Sequence, residues 1–130
     1  MLFAILLAFI LAVIGRSAFA IESINDKNAL KMSDKGYAVL DFYADWCGPC
    51  KMLHPVLEQI EKAMPNVHFY QINTDSEDSK NTASYFCPGS FGIPRIMLLK
   101  NGSNPKLIQT GYEDYEQTKK NIEDAIKESK

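Results

Sequence analysis

Cysteine, histidine and clustered positive charge are all scarce in this sequence, and each scarcity narrows the range of functions. Only three of the 130 residues are cysteine and two are histidine. A disulfide-stapled scaffold needs more cysteines, and a structural zinc site usually takes its ligands from two closely spaced pairs. The 14 basic and 16 acidic residues are scattered, so the positive face expected of a nucleic-acid-binding protein is missing. The length leaves room for one folded domain.

The amino-terminal segment differs in kind from the rest, because its first fifteen residues carry no charged side chain. A bilayer-spanning helix needs about 20 apolar residues, so the run fits a signal peptide better than a permanent anchor. Ala18-Phe19-Ala20 has the small-residue pattern of a cleavage site, which predicts a signal peptide over residues 1–20 and a mature domain over residues 21–130. No Lys or Arg precedes the run, so an uncleaved anchor remains the alternative. We expect a periplasmic or secreted protein, or an anchored domain facing an extracytoplasmic compartment.

Apolar periodicity divides the remaining chain into eight elements. In chain order they are a helix (26–35), a strand (37–43), a helix (47–64), a strand (67–73), a helix (75–86), a strand (95–100), a strand (106–110) and a helix (113–126). This order predicts an α/β fold with a central mixed β-sheet flanked by helices on both faces. The first two strands form a parallel crossover around the long helix, and Asn101-Gly102 predicts an antiparallel hairpin between the last two.

Cys47-Gly48-Pro49-Cys50 stands between a predicted buried strand and the start of the long helix. Unpaired backbone N–H groups and the positive end of the helix dipole stabilise a thiolate there, which makes Cys47 the expected nucleophile. Cys50, one turn deeper, can attack the resulting mixed disulfide and release a reduced substrate. The motif therefore indicates dithiol-disulfide exchange.

A zinc site and a purely structural disulfide are the alternative roles for this cysteine pair. Only Cys87, His54 and His68 could complete a zinc ligand set, and they include no second closely spaced pair. A bridge across so short a loop restricts the unfolded chain little, so its value as a purely structural bond is small. Both alternatives have less support than redox chemistry.

The segment from residue 41 to residue 52, Asp-Phe-Tyr-Ala-Asp-Trp-Cys-Gly-Pro-Cys-Lys-Met, resembles the active-site segment of the thioredoxin family. Pro55 is similar to the family's helix-kinking proline, and Ile93-Pro94 to its cis-proline dipeptide. The late Gly102 and Gly111 extend the resemblance to roughly residues 37–128. It implies the thioredoxin fold and a thiol:disulfide oxidoreductase whose redox group is its own Cys47–Cys50 disulfide, with no other cofactor.

The resemblance also implies roles for individual residues. Asp41 is similar to the family's buried aspartate, which accepts the proton of Cys50, and its burial should raise its pKa toward the value that a general base needs. The alternative for Asp41 is a place at the sheet rim where backbone donors satisfy it. Gln71 stands where thioredoxins often carry a lysine, so the pKa of Asp41 should be higher still. The residues that would form the substrate-binding surface are Trp46, Gly48, Pro49, Ile93 and Pro94.

Four nearby residues have roles that the sequence leaves open. Trp46 either shields the thiols or packs as an ordinary aromatic. Arg95, where the family commonly has threonine, either brings positive charge to the substrate groove or is a solvated strand end. Cys87 is either a packed apolar side chain or a functional thiol, and we expect the former. His54 is expected to be a solvated helix residue.

The expected function is the reduction of protein disulfides by a monomer that an upstream thiol donor re-reduces. Gly48-Pro49 and Ile93 favour this direction because they resemble the reducing thioredoxins. One alternative is a disulfide oxidase or isomerase, which an oxidising compartment would favour. Another is a binding or assembly module of a larger complex. No nucleic-acid partner is expected, and membrane contact is expected only if residues 1–20 are retained.

Overall fold

The computed structural model describes residues 21–87 and 92–130, and the expected signal peptide lies outside them. The elements of the described chain are β1 (Glu22–Ser23), a 3₁₀ helix (Ala29–Ser33), β2 (Tyr37–Tyr43), α1 (Gly48–Ala63), β3 (Val67–Asn73), a second 3₁₀ helix (Glu77–Ser79), α2 (Lys80–Phe86), β4 (Arg95–Lys100), β5 (Ser103–Thr110) and α3 (Tyr115–Glu128). Within these residues, none of the helices has the length and apolar character needed to cross a membrane.

The five described strands form one mixed sheet in the order β1-β3-β2-β4-β5. β2 precedes α1 in the chain and β3 follows it. The two strands are adjacent and parallel in the sheet, and Asp41 is paired with Gln71. β4 runs antiparallel to β2 and to β5. The predicted parallel pair, the predicted hairpin and the predicted fold class are therefore confirmed.

Side chains of β2, β3 and β4 alternate between two separate cores, one on each face of the sheet. On the first face, Val39 packs with Leu53 and Leu57 of α1 and with Ile122 of α3. On the second face, a different cluster covers the sheet; it consists mainly of Ile24, Met32, Leu40, Phe42, Tyr70, Ile72 and Leu99, with Phe86 of α2 packed against it. Asp41 has the same parity along β2 as Val39, so its carboxyl group points toward α1.

The structure adds one strand to the predicted order and replaces one helix. β1 was not predicted, because two residues cannot show a period and this strand exists only through its parallel pairing with β3. The helix predicted over residues 26–35 is instead a 3₁₀ helix of five residues. Just before it, the side chains of Asn25 and Asn28 accept bonds from nearby backbone N–H groups, a local pattern that competes with α-helix formation.

The remaining differences concern where elements begin and end. The predicted helix over residues 75–86 is divided into a 3₁₀ turn and α2. β5 begins at Ser103, three residues before the predicted start, because Asn101 and Gly102 turn the chain within two residues, both at positive φ. α3 begins at Tyr115 because the side chain of Asp114 accepts the N–H of Gln117 at 2.9 Å and caps the helix.

Candidate active site

The two cysteines of the motif are disulfide-bonded at the amino terminus of α1, with their Cα atoms 5.3 Å apart. Cys47 is the residue that precedes α1, and its backbone is extended. Pro49 lies in the first turn of the helix. The N–H of Cys50 points at Cys47 Sγ at a distance of 3.2 Å. This N–H and the helix dipole would stabilise a Cys47 thiolate after reduction. The site can therefore cycle between a disulfide and a nucleophilic dithiol.

The loop before β4 forms the wall opposite the disulfide. The Ile93-Pro94 bond is cis, as the resemblance implied. The carbonyl oxygen of Ile93 lies 3.7 Å from Cys47 Sγ, and the Ile93 side chain packs against the small cluster of Ala44, Cys47 and Cys50. A substrate sulfur approaching Cys47 would therefore meet this backbone.

Trp46 stands beside the disulfide with 71% of its surface exposed, so it is not an ordinary packed aromatic. Its indole Nε1 donates a hydrogen bond to Asp75 Oδ2 at 2.5 Å. Asp75 follows β3 and is itself held by a bond from its N–H to Asn73 Oδ1 at 3.0 Å. The ring is thus exposed and yet fixed in orientation, which suits contact with a macromolecular substrate.

Asp41 lies on β2, lines a cleft together with Cys50, and has only 2% of its surface exposed, so the sheet-rim alternative is wrong. Within the described chain, its Oδ1 has no hydrogen-bond partner. Burial penalises the carboxylate and raises the pKa of Asp41 to about 7. Gln71 faces it from β3 and brings no positive charge to oppose that shift.

A cleft of about 310 Å³ connects this carboxyl group with the surface of α1. Its lining includes Asp41, Cys50 and Gln71 together with His54. The sequence did not point to His54 as part of the site, because its membership depends on the packing of α1 against β2. The sequence also did not point to Asp75. Its contact with Trp46 links two residues 29 positions apart that follow the ends of neighbouring strands.

Arg95, the residue after the cis-proline, contacts Cys87 at the end of α2. Arg95 is only 6% exposed, so the solvated-strand-end alternative is wrong. Its Nη1 donates to Cys87 Sγ at 3.2 Å. Cys87 is a half-buried free thiol that packs against the core on the second face of the sheet. These contacts link the end of α2 to the start of β4.

The described residues contain no group of three or more His, Cys, Asp or Glu side chains placed to hold a metal ion.

Comparison with known proteins gives consistent matches. The chain matches the thioredoxin family over residues 20–128. It is 36% identical over 92 residues to a thioredoxin of Borreliella burgdorferi, covering 68% of this chain and 75% of the relative. It is 41% identical over 83 residues to a thioredoxin of Rickettsia typhi, covering 63% and 74% of the two chains. A solved variant thioredoxin of Halobacterium salinarum superposes with a TM-score of 0.67 at 28% identity, covering 79% of this chain and 88% of that one.

The family match extends over most of the sequence and includes both bonded cysteines. The Borreliella burgdorferi and Rickettsia typhi thioredoxins are each matched over more than two thirds of their own length. The chain therefore belongs to the thioredoxin family of thiol-disulfide oxidoreductases.

Proposed function

We propose that this protein reduces disulfide bonds of protein substrates outside the cytoplasm. The proposed direction of electron transfer, from the protein to the substrate, is supported by the side chains at the redox site. No charged side chain stands between Cys47 and Cys50, and the residue facing the disulfide from the cis-proline loop is the apolar Ile93. A Cys47 thiolate is then stabilised mainly by the helix terminus, so the reduced form is not favoured enough to make the protein a strong oxidant.

The reaction proceeds in two exchanges of sulfur bonds. The Cys47 thiolate attacks one sulfur of the substrate disulfide, and the other substrate sulfur leaves as a thiolate that takes up a proton. Asp41 then removes the proton of Cys50, whose thiolate attacks Cys47 Sγ and expels the second substrate sulfur. Two electrons have passed to the substrate, and an upstream thiol donor must restore the dithiol.

The surface around Cys47 suits an extended stretch of substrate. Trp46, Gly48 and Pro49 are exposed beside the disulfide, and the partly buried Ile93 packs against it from the cis-proline loop. Pro94, which was also expected on this surface, is fully buried and therefore contributes the cis backbone rather than a contact with substrate. The residues on this surface are apolar or small, so they can contact substrate segments of varied sequence. Substrate choice would then depend on access to the disulfide more than on a particular side chain.

The extracytoplasmic location rests on the apolar segment over residues 1–20. The family match begins at residue 20, so it leaves residues 1–19 of this segment outside the matched domain, and Ile21 is 7% exposed and packs in the first core. Cleavage after Ala20 would leave β1 and its pairing with β3 intact. The alternative of an anchored domain would keep the same redox site.

A trapping experiment tests the assigned roles of the two cysteines. In Cys50→Ser the second exchange is blocked, so a model disulfide protein should accumulate as a mixed disulfide on Cys47. Cys47→Ser is the matched control and should trap nothing. Trapping through any other cysteine would overturn the assignment. A cellular phenotype that survives replacement of both cysteines would instead favour the binding or assembly module.

A further inference from the structure

Three side chains of α1 stand in one column, because Cys50, His54 and Glu58 follow each other at intervals of four residues. Residues at this spacing are neighbours on a helix surface. The column begins at the redox disulfide and ends at a half-exposed carboxylate. The reaction described above makes no use of its central member, His54.

The contact between His54 and Glu58 sets the chemistry of the imidazole. Nε2 of His54 lies 2.9 Å from Glu58 Oε1, and the two side chains are 40% and 42% exposed. An ionised carboxylate can only accept hydrogen bonds, so Nε2 must carry the hydrogen. In the neutral imidazole Nδ1 is then the proton acceptor, since the partner of one ring nitrogen decides the state of the other.

His54 lines the same cleft as Asp41 and Cys50. Asp41 is almost fully buried, whereas His54 reaches solvent, so the cleft joins a buried carboxyl group to an exposed imidazole. At about 310 Å³, the cleft has room for water between them. Imidazole is the side chain whose ordinary titration falls between about pH 5 and 8, so it can take up and release protons near neutrality.

The other groups that face the cleft are less suited to carry a proton. Gln71 of β3 does not titrate. Tyr43 of β2 has its pKa raised by burial and by the nearby Asp45 and Asp41, so it keeps its own proton. Asp45, before α1, and Lys51, on α1, are exposed and bring one charge of each sign to the rim.

We propose that His54, oriented by Glu58, carries the proton between Asp41 and solvent during turnover. After Asp41 has taken the Cys50 proton, that proton passes through water in the cleft to Nδ1 of His54. The imidazolium then gives the Nδ1 proton to solvent water, so that Nε2 keeps its hydrogen and its bond to Glu58, and no electron moves in this step. His54 is a positioning and relay residue that acts through Asp41. The inference rests on the proposed reductase reaction and on Asp41 as its base.

The test compares His54→Gln with His68→Gln, because His68 is the chain's other histidine and is exposed on β3. The rate of the second exchange is measured in a single turnover, at low and high concentrations of a small buffer. His54→Gln should be slower at low buffer by roughly three- to tenfold, less than the 10²–10⁴ of a direct general base. Added imidazole should restore the rate, and the redox potential should not change. Glu58→Gln should give a smaller loss in the same direction.

Two outcomes would overturn the relay. One is a His54→Gln rate equal to that of His68→Gln under all conditions. The other is a loss that buffer and imidazole do not restore, which would indicate a structural role. Asp41→Asn separates this inference from the proposed function. If Asp41→Asn slows the second exchange and His54→Gln does not, only the relay fails. If Asp41→Asn has no effect, the proposed base fails as well.

Discussion

Asp41 couples the chemistry of the site to the stability of the fold. Its burial raises its pKa to about 7, whereas an aspartate in the unfolded chain titrates near about 3.9. Between these two values the native protein keeps a proton that the unfolded chain has released. The free energy of unfolding therefore falls as the pH rises through this window, and the full penalty is present above about pH 7.

Replacing Asp41 by asparagine should remove this penalty. We expect Asp41→Asn to be more stable than the wild type above pH 7, by at most about 4 kcal/mol from the difference in pKa, and to have no such advantage near pH 4. Urea unfolding of the oxidised protein at the two pH values measures this. Asp45→Asn is the matched control, because Asp45 is exposed. An equal advantage of Asp41→Asn at both pH values would show that Asp41 carries no buried charge above pH 7.

Cys87 is a packed side chain that also accepts a hydrogen bond from Arg95. A serine hydroxyl can accept the same bond. Cys87→Ser should therefore fold, lose about 1 kcal/mol of stability, and keep its reductase rate within about twofold. Insulin-type disulfide reduction and urea unfolding measure the two quantities. If the folded variant lost most of its activity, Cys87 would have to be a functional thiol.

At the scale of elements, the hairpin between β4 and β5 is fitted against the first 3₁₀ helix. Gly102 has φ +73°, and a Cβ there would lie 2.6 Å from the Cα atom of Ser33 and 3.0 Å from the carbonyl oxygen of Met32. Gly36 also has positive φ, at +100°, but a Cβ there meets nothing within 4 Å. A substitution at Gly36 therefore tests the effect of positive φ alone, whereas one at Gly102 tests positive φ together with a steric clash.

Alanine at these two positions should have unequal effects. Gly36→Ala should lower the free energy of unfolding by about 1–2 kcal/mol, because a residue with a Cβ is strained in the left-handed conformation. Gly102→Ala should cost about 1–3 kcal/mol more, because rigid backbone must shift to admit the methyl group. Thermal or urea unfolding of both variants gives the comparison. Equal losses would show that the hairpin and the 3₁₀ helix are not in firm contact.

The regular elements were predictable where the signal is local. The bounds of β2, β3 and β4 follow from apolar runs that end in turn residues, and the start of α1 follows from the Cys-Gly-Pro-Cys segment. β1 was not predictable, because it depends on a partner strand about 48 residues away. The 3₁₀ helices result from local side-chain bonds that apolar periodicity does not register.

The candidate active site was likewise predictable where the signal is local and not where it depends on long-range packing. The cysteine pair, the buried position of Asp41 and the cis bond before Pro94 could be anticipated from short segments and their resemblance. The contacts from Trp46 to Asp75 and from Arg95 to Cys87, and the cleft that reaches His54, could not. Each of these joins elements that only the packed sheet brings together.

For the whole molecule, cleavage or retention of residues 1–20 would decide whether the redox domain is free or anchored. We expect the mature chain to begin at Ile21, because Ala18-Phe19-Ala20 provides a cleavage site. Intact-mass measurement of protein recovered from the extracytoplasmic fraction checks this. A full-length chain retained in the membrane fraction would show that the segment is an anchor.

The redox potential of the Cys47–Cys50 pair decides between a reductase and an oxidase or isomerase. Equilibration with a glutathione buffer, followed by Trp46 fluorescence, measures it on the intact protein. Thioredoxins themselves have a potential near about −270 mV, and strong oxidants of this fold reach about −120 mV. We expect a value near the reducing end, because the site adds no charged side chain between its cysteines. A potential above about −180 mV, where isomerases lie, would contradict the reductase and favour an oxidase or isomerase.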